Sequence, residues 1–136
     1  MRGADGGPWS RICALPALWV GLLYDGAALD AAWDEVKGWT TPEREALRNA
    51  VPREGLSART PSGEPLLQLA TRILDIAAAG LASRAKLNDA GDNEVGYLEP
   101  LREIVASGRT PAEQLLERYH GTWGGDLSRI YAEESF

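Results

Sequence analysis

A chain of 136 residues with a formal charge of −6 suits one modest domain, long enough to hold a single core. Its 44% apolar and 25% charged composition argues against wholesale disorder, and 14 basic against 20 acidic residues argue against nucleic acid, whose phosphates are bound by basic side chains displacing counterions. One cysteine and one histidine exclude an internal disulfide and a Cys/His zinc site, and a lone thiol fits a reducing cytoplasm.

The chain opens MRGADGGPW. Its glycines would let backbone N–H groups approach an anion, and Arg2 could clamp a carboxylate or phosphate in forked geometry. The spacing matches neither GxGxxG nor the phosphate loop GxxxxGK(S/T), so a loose chain end is the competing reading. The run from Pro8 to Tyr24 is apolar on nearly every side and predicts a buried central helix, kinked or ended early by Pro16. The same run has the length of a secretion-leader core, with small residues following and cleavage expected between residues 25 and 32; Asp5, Trp9 and Trp19 speak against it. It is shorter than the ~20 apolar residues of a membrane span.

Asp25 is placed to cap a second helix carrying Leu29, Trp33 and Val36 at helical spacing and stopped by Gly38. In TTPEREALRNAVP, a threonine, then Pro42 and Glu43, predict a helix start, with Leu47 and Val51 inward and an end before Pro52. Residues 53–65, broken by Gly55, Pro61, Gly63 and Pro65, read as a loop. The next segment, with Leu66, Leu69, Ile73, Leu74, Ala77 and Leu81 on one face, is the longest amphipathic helix. LNDAGDNEVG is a turn whose acidic residues lack calcium-loop spacing. YLEPLREIVASG predicts a helix ending at Gly108, and Thr110, Pro111 and Glu113 form a capping box for the next, with Leu115, Leu116 and Tyr119 inward. Leu127, Ile130 and Tyr131 mark a last helix. His120 reads as a helix-end residue, Cys13 as a small buried hydrophobe and the five tryptophans as core or interface anchors. The fold class is all-α: one helical domain over residues 1–136, of about six helices with a short extended N-terminal piece.

MRGADGGPW, RICALPALWVGLLYD, WTTPEREALRNAVPREGL and GYLEPLREIVASGRTPAEQLLERYHGTWGG, with the acidic-aromatic tail, resemble in register the C-terminal quarter of plant and proteobacterial-type glutamate–cysteine ligase. The opening motif and TPAEQLLERYHGTWGG are the most specific parts. The resemblance implies an enzyme that joins the γ-carboxylate of glutamate to the amine of cysteine through a γ-glutamyl phosphate, with ATP and magnesium, as the first step of glutathione synthesis. It implies an antiparallel sheet forming a funnel, with helices packed outside. The strand of such ligases reads EMRGADGG; its glutamate is implied to hold magnesium, and Arg2 to contact the transferred phosphoryl or neighbouring substrate groups, with Gly3 and Asp5 at the substrate-binding edge. Metal and guanidinium would offset the charge that moves with the phosphoryl group.

Met1 falls on the family's internal methionine, so that glutamate and the nucleotide, glutamate and cysteine pockets are expected to precede this chain. No metal ligand is assigned within it, and alone it is expected to need no cofactor and to be inactive. The resemblance gives Cys13 a redox role, as one partner of a regulatory disulfide whose mate lies upstream. Glutamate, cysteine and ATP are the implied partners of the parent enzyme, and the remainder of the ligase that of this chain; neither nucleic acid nor membrane is expected. The alternative is a non-catalytic helical domain whose tryptophan-rich first helix docks on a separate, larger ligase chain.

Overall fold

A computed structural model of the chain describes residues 7–134. The expected extended N-terminal piece lies outside them. The described residues form seven α-helices rather than about six: α1 (Trp9–Leu23), α2 (Gly26–Val36), α3 (Thr41–Glu54), α4 (Leu66–Arg84), α5 (Glu99–Ser107), α6 (Pro111–His120) and α7 (Ser128–Glu133). Two 3₁₀ turns, Gly55–Ser57 and Glu94–Leu98, interrupt them, and among the described residues there is no strand, only two isolated bridges. The all-α class holds.

Helix starts follow the side chains that satisfy free N–H groups. Asp25 accepts from the Ala28 N–H at 2.9 Å and opens α2; this bond, with one from the Ser83 hydroxyl, holds its carboxyl below the usual range. Thr40 and Thr110 accept from the N–H of Glu43 and Glu113, whose carboxylates return to the threonine N–H at 2.7 and 2.6 Å, so α3 and α6 begin in complete capping boxes. Neither interior proline ends its helix. Pro16 lies on the exposed side of α1 and Pro52 on that of α3, where a carbonyl left without its donor meets water, and the helices run on to Leu23 and Glu54.

The core is the crossing of α1 and α4. A Cβ at Gly21 would stand 2.3 Å from the Ala77 carbonyl oxygen, and one at Gly80 2.0 Å from that of Gly21, so the two backbones touch. Ala17, Leu22, Leu74, Ala77, Ala78, Leu81 and Leu98 pack around this contact, with Leu101 and Val105 of α5 half-buried against it. By length and composition α4 is the one helix among the described residues that could cross a membrane, and it is also the helix with most of the core. α2 turns 94° from α1 and buries Ala28, leaving Leu29 and Trp33 exposed.

The expected loop of residues 53–65 is held more firmly than its composition suggests. Arg59 and Pro65 form a bridge, Thr60 is buried, and Arg72 of α4 reaches Glu64 at 2.6 Å and Glu35 of α2 at 2.9 Å. The Arg72 bonds hold the Glu64 carboxyl below the usual range. Nothing on α3, α5, α6 or α7 is fully buried, and Leu116 and Tyr131, expected inward and periodic, are exposed. The chain exposes 9133 Å², where a compact monomer of 14.7 kDa would expose about 6,900 Å².

Candidate functional site

Arg2, Gly3 and Asp5, the residues assigned to catalysis and substrate binding, lie outside the described residues. The chain enters the fold through Gly7 and Pro8, beside an open cleft of about 530 Å³ whose lining includes Pro8, Arg11, Glu103, Ser107, Pro111 and Gln114. The start of α1 therefore meets the α5–α6 junction. Pro8 and Pro111 belong to the two segments that carry the resemblance most specifically, and the fold brings these ends of the sequence to one cleft. Its lining mixes one guanidinium, one carboxylate, a hydroxyl and an amide. Among the described residues no three His, Cys, Asp or Glu side chains gather as a metal site. His120 is exposed at the end of α6, edge-on to Tyr119 with ring centroids 5.0 Å apart.

Cys13 is free and half-buried rather than fully buried. It faces an apolar cavity of about 260 Å³, with Pro16, Ala17, Val20, Leu81 and Tyr97 as walls and Glu94 as the one charged lining residue. Arg84 pairs with Glu94 at 3.3 Å and lies 5.5 Å from the centre of the Tyr24 ring, which closes the ends of α1 and α4 over this region.

RYHGTWGG builds a turn. Gly124 and Gly125 take φ of 56° and 85°, which favours glycine, and the Gly125 N–H donates to the Tyr119 carbonyl at 2.8 Å. The turn buries Trp123, whose Nε1–H donates to Glu133 at 2.9 Å while the Arg118 guanidinium lies 5.1 Å from the ring centre. This is the one buried tryptophan among the described residues; Trp9, Trp19 and Trp33 are exposed and Trp39 is half-buried, so they are not core anchors here.

The exposure of α1 follows a pattern. Trp9, Ile12, Pro16, Trp19 and Leu23 are its exposed positions among the described side chains, and all are apolar. They recur three and four residues apart, so they form one stripe along the helix. The inner side packs on α4, α5 and the Glu94–Leu98 turn. The expected burial of α1 on every side is thus met on its inner side alone. Alternation at 3.6 marks apolar sides without saying what covers each.

Residues 1–133 match the family model described as glutamate-cysteine ligase family 2. Over 134 residues the chain is 48% identical to the chloroplastic glutamate–cysteine ligase of Nicotiana tabacum and 49% to that of Arabidopsis thaliana. It is 45% identical to chloroplastic glutamate–cysteine ligase A of Oryza sativa subsp. indica. These alignments take in 98% of this chain and 24–26% of the relatives, so the chain spans about a quarter of their length. The relatives are named as chloroplastic, and the cytoplasmic placement expected for this chain finds no support in those names. A match that runs through nearly the whole sequence, glycine-rich opening and tryptophan turn included, shows that the chain belongs to glutamate–cysteine ligase family 2.

Proposed function

We propose that this chain is the C-terminal, helical part of an ATP-dependent glutamate–cysteine ligase, the enzyme that joins glutamate to cysteine in the first step of glutathione synthesis. The observation that carries this reading is identity of 48% across 134 residues with an enzyme about four times as long. The helices buttress the catalytic part, and the segment before Pro8 contributes Arg2, Gly3 and Asp5 to the edge of its site. Magnesium-bound ATP supplies the phosphoryl group in the whole enzyme. Magnesium ligands are assigned to the remainder of the enzyme, and no step is routed through them here. Arg2 places a guanidinium against the charge that develops as the phosphoryl group moves.

Alone, the chain is inactive. Given glutamate, cysteine, ATP and magnesium it releases no phosphate above background, and robust turnover would overturn the proposal. Joined in frame behind the remaining three-quarters of the tobacco enzyme, it restores turnover, and Arg2→Ala lowers kcat on the order of 10²-fold. The exposed α1 stripe also favours a second reading, a helical domain that docks on a separately encoded ligase chain. Co-purification with such a chain from its own cells would select it. A reducing cytoplasm, proposed from the lone Cys13, is checked by fractionation.

A further inference from the structure

We infer that the outward stripe of α1, Trp9, Ile12, Trp19 and Leu23, is the face on which the remainder of the ligase seats, with Trp33 exposed on the adjoining α2; this rests on the proposed function. Trp9 is 76% and Trp33 57% exposed. The 15 residues from Trp9 to Leu23 give the stripe a length of about 21 Å, and Pro16, at its centre, keeps it apolar throughout. The exposed side of α3 is charged, with Glu43, Arg44, Glu45 and Arg48, and on α6 Glu113 and Glu117 flank the exposed Leu116.

Two observations select the occupant. The relatives carry about three-quarters of their length outside the matched region, enough chain to cover a face of this size. A second copy is disfavoured by charge, since each chain carries −6.

The test measures binding between the full chain and the recombinant remainder of the tobacco ligase by calorimetry. The chain binds; Ile12→Glu combined with Trp19→Glu weakens binding about 100-fold, while Leu116→Glu, an equally exposed apolar residue on α6, leaves it unchanged. Circular dichroism shows both variants as helical as the parent, since the substituted side chains are exposed. Full binding by the double variant overturns the docking face and leaves the proposed function standing. A dimer in sedimentation that Ile12→Glu dissociates reassigns the face to a second copy, and stripe-dependent flotation with phosphatidylcholine vesicles reassigns it to lipid; either overturns the inference. Absence of binding by the parent chain also overturns it, and turnover by the in-frame fusion then separates that failure from failure of the proposed function.

Discussion

Where α1 crosses α4, two helices meet backbone to backbone through Gly21 and Gly80, and aliphatic side chains close around the contact. At the C-terminal end, α6 opens on a capping box and is joined to α7 by a glycine turn and one indole hydrogen-bonded to a carboxylate. The crossing is stabilised by burial, whose effect scales with area removed from water. The end is held by individual polar bonds, each modest and each near solvent. The two regions should therefore respond differently: substitutions at the crossing lower global stability, whereas substitutions at the end open it locally while the crossing persists.

The largest effect is expected from Gly80→Val. Its Cβ would stand 2.0 Å from a backbone oxygen that cannot rotate away, and urea denaturation should show a loss of about 3 kcal/mol or more. Leu81→Ala removes a fully buried side chain from the same place and should cost about 2.5 kcal/mol, with an unchanged urea slope. At the other end, Trp123→Phe keeps an aromatic ring but deletes the donor to Glu133 and half of the buried indole. Amide exchange in α6 and α7 should accelerate by about 1 kcal/mol of opening energy, with the α4 amides unchanged. Thr110→Ala, which removes the cap of α6, should accelerate exchange in its first turn by about 0.5–1 kcal/mol. Equal slowing or acceleration of α4 and α6 amides would erase the distinction between the regions.

The smallest effect sharpens the comparison through pH. The Glu64 carboxyl is lowered by Arg72, so this pair contributes stability that is present above the ordinary value of 4.5 and is lost as pH falls through the lowered one. Arg72→Met should flatten the acid side of the stability profile below that value. Arg72 is partly exposed, so the change should be smaller than that of Leu81→Ala. An unaltered acid profile would show that the clamp between α2, α4 and the 53–65 link contributes nothing.

Helix boundaries set by side chains were legible in the sequence: Asp25, Thr40 with Glu43, Thr110 with Glu113, and Gly108 each act as their types imply. The inward stripe of α4 was legible too, because its polar residues interrupt the apolar ones at helical spacing. The exposed tryptophans were not. Trp9, Trp19 and Trp33 sit at positions any core helix might use, and composition alone does not say whether the covering surface belongs to this chain. Pro16 and Pro52 do not stop their helices for a related reason, since the cost of a missing donor depends on whether water reaches the freed carbonyl. Of the candidate site, the approach of Pro8 to the α5–α6 junction was hidden, since residues a hundred positions apart share no local pattern.

The most direct measurement is phosphate release from ATP in the presence of glutamate, cysteine and magnesium, by the chain alone, by the remainder of the tobacco ligase alone, and by the two joined in frame. Turnover is expected from the joined protein and background release from either part. Turnover by the 136-residue chain alone, or a joined protein that folds and remains inactive, would contradict this expectation.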